Sequence, residues 1–77
     1  MGIMQWTTEK TIGSSAFAYM TKYPDMSFLD ALEQSLRETR PGWHDGLWSM
    51  AAKEIPPEAG PKEAIKAVAA YCVRYRV

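Results

Sequence analysis

The chain has 77 residues, of which 47% are hydrophobic and 23% are charged, and nine basic residues balance nine acidic ones. This length allows one domain with a modest core, and the composition is not that of a disordered chain. A neutral charge argues against a dedicated nucleic-acid binder, whose affinity comes largely from neutralised phosphates. It argues equally against a polybasic protein that lies on a membrane surface.

The number of cysteines and the hydropathy of the chain indicate the compartment in which the protein is expected. Cys72 is the only cysteine, so the chain cannot be held by an internal disulfide, and a reducing compartment is the simplest setting. We find no run of about 18 apolar residues that would span a membrane, and no basic start followed by an apolar stretch as in a signal peptide. The sequence therefore predicts a cytoplasmic protein with no membrane association.

A first helix is predicted over residues 8–22, with Thr7 or Thr8 as its cap and Pro24 as its end. Gly13 weakens the first half by about 1 kcal/mol relative to alanine, which leaves a later start near residue 14 open. Residues 1–6 have no period, and either fraying or folding back onto the core suits them. The predicted inward face consists of Ile12, Ala16, Tyr19, Met20 and Tyr23.

The central stretch, residues 27–40, carries the clearest helical pattern. Ser27 is placed to cap the helix, Glu33 and Arg37 form an i,i+4 pair in the favourable order, and Pro41 ends it. Charged residues occupy one side of the helical wheel and apolar residues the other, as in a surface helix with one buried stripe. The predicted buried stripe consists of Phe28, Leu29, Leu32 and Leu36.

Two further helices are predicted, over residues 46–54 and 62–75. Asp45 suits the cap of the third helix, and Pro61 suits the first position of the fourth, where a missing N–H costs nothing. The predicted inward residues are Leu47, Met50, Ala51 and Ile55 of the third helix, and Ala64, Ile65, Val68, Ala69, Tyr71, Cys72 and Tyr75 of the fourth. No strand-like alternation appears. The prediction is an all-α fold, a single small domain over residues 1–77, with about four amphipathic helices in a compact bundle or orthogonal packing.

Catalytic and metal-binding patterns are weak. His44 and Asp45 are the only adjacent acid–base pair, but neighbouring residues rarely point at each other, and Cys72 lies on an apolar helix face. One histidine, one cysteine and dispersed carboxylates give no metal-ligand spacing, and no glycine-rich phosphate loop is present. We therefore predict no catalytic residue, no metal site and no cofactor.

A helix–turn–helix protein is the main alternative to an interaction module. The central and third helices follow each other in the right order, but the link is longer than the usual 3–4 residues. The exposed face of the would-be recognition helix offers Asp45, Ser49 and Lys53, without the Arg, Asn or Gln side chains that read bases. Nucleic acid is accordingly the second choice of partner.

The link between the central and third helices holds the remaining signal. Trp43, His44 and Trp48 place two large aromatic residues and the only histidine within six positions. These residues either plug the core between two helices or form an exposed anchor, since interface hot spots are enriched in tryptophan. We interpret Trp43, His44 and Trp48 as candidate protein-binding residues.

The predicted function is therefore a small non-enzymatic protein-interaction module, an accessory, inhibitor or regulatory protein that occupies a partner surface. A helix–turn–helix-like DNA-binding regulator is the alternative, and a small enzyme comes third. The predicted partner is another protein, and self-association into a homo-oligomer stays open because a core this small gains stability from it.

Overall fold

The computed structural model describes residues 2–42 and 46–75. These ranges contain four helices: α1 (Gly2–Lys22), α2 (Phe28–Thr39), α3 (Gly46–Ala52) and α4 (Pro61–Arg74). No strand occurs within them, and the helices pack into a body with a radius of gyration of 11.4 Å. The prediction of a small all-α fold of four helices is confirmed.

Helix α1 starts at Gly2, well before the predicted start at residue 8. Thr8 does not cap the helix, because its hydroxyl donates to the carbonyl oxygen of Met4 at 2.9 Å, a bond made inside a continuing helix. Gln5 adds a second bond within these turns, from its side-chain amide to Glu9 at 3.1 Å. Helix α1 therefore includes residues for which the sequence shows no helical period, and the predicted start at residue 8 is wrong.

Helix α2 forms as its local sequence predicts. The Ser27 hydroxyl accepts from the backbone N–H of Asp30 at 3.1 Å, so the predicted cap is confirmed. The Arg37 guanidinium lies 2.9 Å from the Glu33 carboxylate, which confirms the i,i+4 pair. The C-terminal end is closed by the backbone N–H of Arg40, which donates to the Leu36 carbonyl at 2.9 Å.

The core lies between α1 and the two helices that pack against it, α2 and α4, and α3 contacts both α4 and α2. Its largest fully buried side chains are Ile12, Leu32, Leu36, Val68 and Cys72. Ser35 is also fully buried, and its hydroxyl donates to the Ile12 carbonyl at 2.9 Å, which joins α2 to α1 and satisfies a polar group inside the core.

Polar contacts at the edges of the core fix how the helices cross. The hydroxyls of Ser15 and Tyr19 donate to the two carboxylate oxygens of Glu38, at 3.0 and 2.9 Å. The hydrogen bond to Glu38 raises the pKa of Tyr19, because ionising the phenol would lose this bond and set two negative charges side by side. Glu38 therefore ties the last turns of α2 to the middle of α1.

Several predicted inward residues turn out to be exposed, and those predictions are wrong: Tyr23, Leu29, Met50 and Tyr75. In α2, the small residues Ala31 and Ser35 lie in the buried face and let α1 approach, which rotates that face away from Leu29. Helix α3 also ends at Ala52 rather than residue 54, where the chain tightens into i→i+3 hydrogen bonds ahead of Pro56.

Candidate functional site

One of the three predicted protein-binding residues, Trp48, lies in the described part of the chain. Trp43 and His44 lie outside the described residues, as does Asp45, so their predicted roles stay predictions. Trp48 lies in α3, where it is half-buried and packs against the hydrophobic core. The surroundings of Trp48 are therefore largely apolar.

A different surface gathers exposed aromatic side chains. An open groove of about 360 Å³ runs between α1 and the first turns of α4. We call it the α1–α4 groove, and it is lined by Trp6, Glu9, Lys10, Gly13, Ser14 and Phe17 of α1 and by Lys62 and Ile65 of α4. Trp6 is 59% exposed and Phe17 is 50% exposed, so two large rings stand in solvent at this groove.

Helical geometry explains why these rings share one groove. Trp6, Lys10, Gly13 and Phe17 follow the spacing i, i+4, i+7 and i+11, which keeps them on one side of α1 over about three turns. This side adjoins the buried face, so the two aromatic residues flank the core instead of entering it. The Phe17 ring also packs against the Phe28 ring of α2, with ring centroids 6.0 Å apart.

Gly13 sets the depth of the groove at its centre. A Cβ atom at this position would lie 3.3 Å from the Cδ1 atom of Ile65, tighter than an ordinary van der Waals contact. The missing side chain thus lets α4 approach α1 closely at this point. Gly13 was expected to weaken the helix, and the close approach of Ile65 supplies a packing reason for a glycine there.

Two lysines stand at the groove. The Lys10 ammonium lies 4.7 Å from the centre of the Trp6 ring, a cation–π contact that leaves its charge unneutralised. Lys62 lies in the first turn of α4 and is exposed. The lone acid among the lining residues is Glu9, whose carboxylate accepts from the Gln5 amide. The lining therefore carries two positive charges and one negative charge.

The sequence does not predict the groove, because the apolar stripe that lines it runs beside the stronger apolar stripe of the buried helix face. Trp6 falls in a segment without a recognisable period, and Phe17 falls off the predicted inward face of the first helix. The available clue was the second apolar stripe, Trp6, Gly13 and Phe17, which runs parallel to the buried stripe. Ile65 was correctly predicted as buried, but the sequence does not tell which helix it contacts.

Cys72 is buried in α4 and not placed at a site edge. Burial raises the pKa of its thiol, because the charged thiolate loses its hydration, and the positive charge of Arg40 only partly offsets this effect. A thiol with a raised pKa is a weak nucleophile at neutral pH. These surroundings match the expected core role of Cys72.

We expect the Cys72 thiol to react with iodoacetamide at least about tenfold more slowly in the native protein than in urea at the same pH, since reaction requires local opening of α4. Mass spectrometry of timed samples measures both rates. Equal rates would contradict the burial of Cys72 in α4.

The described residues also bear on metals and membranes. Within residues 2–42 and 46–75, no three His, Cys, Asp or Glu side chains lie close enough together to hold a metal ion. Across the same part of the chain, no helix combines the length and apolar character needed to cross a bilayer. Comparison with known proteins found no matching family model, no matching curated protein and no matching solved structure.

Proposed function

We propose that this chain is a small non-enzymatic protein-interaction module, which acts as an accessory, inhibitor or regulatory protein by occupying a partner surface. The observation that carries the proposal is the α1–α4 groove, where Trp6 and Phe17 expose large rings on both sides of a glycine. Aromatic side chains of this kind are typical anchors of protein interfaces. Leaving them in water costs free energy that a partner would recover.

Two further features favour binding over catalysis. The single cysteine is buried and its thiol pKa is raised, which makes it a poor nucleophile. The one acid that lines the groove, Glu9, accepts a hydrogen bond from the Gln5 amide and none from Lys10 or Lys62 among the described interactions. A buried thiol also suits a reducing compartment, so the proposed location is the cytoplasm.

The link between α2 and α3, together with the start of α3, supplies a second set of proposed contact residues. Trp43, His44 and Trp48 keep the role predicted for them, as an anchor for the same class of partner. Trp48 packs against the core, so its contribution to binding would come from the exposed part of its ring. The groove and this link need not bind the same partner.

Quantitative affinity capture tests the proposed function. The immobilised chain is incubated with a nuclease-treated lysate of the organism that encodes it, and the retained proteins are compared between variants by mass spectrometry. We expect retention of a bound protein to fall at least about fivefold with Trp6→Ala, because truncating a tryptophan that anchors an interface costs more than about 1 kcal/mol.

Tyr75→Ala is the matched control for Trp6→Ala. Tyr75 is also an exposed aromatic residue, 55% exposed, but it follows the far end of α4 and does not line the groove. Retention should therefore survive this change. The same capture is repeated with an untreated lysate, and proteins retained only there would favour the DNA-binding alternative. Retention that is the same in Trp6→Ala and Phe17→Ala as in the unchanged chain would remove the groove from the proposal.

A further inference from the structure

We infer that the α1–α4 groove takes an acidic amphipathic segment of a partner protein, a short helix whose apolar side chains enter the groove while its carboxylates meet Lys10 and Lys62. This inference rests on the proposed function, because it names the kind of partner that the interaction module binds. The inference is supported by the shape of the groove, its apolar lining and its charge.

The length and lining of the groove fit a helix of about three turns. Trp6 and Phe17 are separated by eleven positions on α1, or about 16 Å along the helix axis at 1.5 Å per residue. Their rings mark the two ends, and at the centre Gly13 and the closely packed Ile65 form the floor. A partner helix laid along α1 would place apolar side chains at i, i+3 or i+4 and i+7 against these residues.

The charges of the groove favour a partner segment with negative charge. Lys10 contacts only an aromatic face among the interactions described for it, and Lys62 forms no ion pair in the described part of the chain. Glu9 is held by the Gln5 amide. A partner carboxylate beside either ammonium group would gain a charge-assisted hydrogen bond, whereas a basic partner would meet like charge in a partly desolvated groove.

A second copy of the chain fits less well than an acidic partner. Each groove has a net charge of about +1 from Lys10, Lys62 and Glu9, so two grooves facing each other would bring about +2 together. An acidic helix neutralises this charge. Complementary charge therefore favours a different protein as occupant, with a homodimer as one of the outcomes that the experiment distinguishes.

A display selection with random peptides of about 12 residues, roughly 18 Å long as a helix, tests the inference. We expect enriched peptides to be net negative and to carry apolar residues at helical spacing. Binding of a selected peptide should weaken at least about tenfold with Trp6→Ala, as for a hot-spot residue, and should weaken as salt concentration rises. Tyr75→Ala should leave its affinity unchanged.

Charge reversal gives the sharpest arm of the experiment. In the Lys10→Glu, Lys62→Glu double variant, the acidic peptide should bind at least about tenfold more weakly, and a version with lysine at its acidic positions should bind better than the acidic one. Both residues are exposed, so the variant should keep its helical circular dichroism spectrum.

Several outcomes would overturn the inference. Neutral or basic peptides that depend on Trp6 would refute the acidic partner while leaving the proposed function in place. Peptides that ignore both Trp6→Ala and Phe17→Ala would refute the groove as the binding surface. A selection that enriches no peptide would mean that the groove takes no peptide segment. Dimerisation that is lost with Trp6→Ala would mean that a second copy of the chain occupies the groove. Trp6-dependent binding to phosphatidylglycerol vesicles would mean that the groove binds a lipid surface.

Discussion

Replacing Leu32 with alanine is expected to lower the free energy of unfolding by about 2–5 kcal/mol, the usual range for a leucine removed from a packed core. Leu32 is fully buried in the middle of α2, where it belongs to the cluster formed with α1 and α4. A domain of this size has a stability of only a few kcal/mol, so the variant should be substantially unfolded at room temperature. Urea unfolding followed by circular dichroism measures the loss.

Leu29→Ala is the matched control, because it makes the same chemical change one turn earlier in the same helix. Leu29 is 51% exposed, so its removal should cost less than about 1 kcal/mol. Glu33→Ala removes a partly exposed ion pair with Arg37 and should cost under about 0.5 kcal/mol. Similar losses for Leu32 and Leu29 would mean that the buried face of α2 is oriented differently.

The contrast between these two leucines shows how far the sequence determines the fold. The ends of α2 were predictable because Ser27 caps the first turn and Pro41 follows the last residue, and both act locally. The exact centre of its buried face was not, because that depends on where α1 crosses. Small residues such as Ser35 permit the crossing, yet in a sequence pattern a serine indicates an exposed position.

The start of α1 was missed for a related reason. A threonine before an apolar stretch is a common helix cap, and Thr8 was interpreted in that way. Inside a helix, the same hydroxyl donates to the carbonyl four residues earlier, which is what Thr8 does with Met4. A threonine can therefore cap a helix or lie inside one, and the local sequence does not distinguish these two cases.

The candidate site was harder to predict than the fold because its lining comes from distant parts of the chain. Trp6 and Lys62 lie near opposite ends of the sequence and meet only because α4 packs against α1 at Gly13. Sequence periodicity gives the faces of each helix but not which helix covers which face. Trp43 and Trp48, by contrast, are close together in the sequence itself, so a sequence pattern can identify them.

Trp48→Ala is expected to lower the free energy of unfolding by about 2–4 kcal/mol, somewhat less than for a fully buried tryptophan. Trp48 is half-buried and packs against the core from α3, a helix of only seven residues that has few other large side chains to hold it in place. Losing the ring should therefore loosen α3 as a whole. Thermal or urea unfolding of the variant measures the effect.

Met50→Ala serves as the control for Trp48→Ala, since Met50 lies in the same short helix and is exposed. It should cost less than about 1 kcal/mol, and Trp48→Phe should recover part of the loss because a smaller ring still fills some of the space. If Trp48→Ala instead leaves stability unchanged and weakens capture of a protein partner, Trp48 acts as a binding anchor. A tryptophan whose removal leaves the free energy of unfolding unchanged is not needed for the fold. The link that contains Trp43 and His44 would then be a better candidate for the interaction surface than the α1–α4 groove.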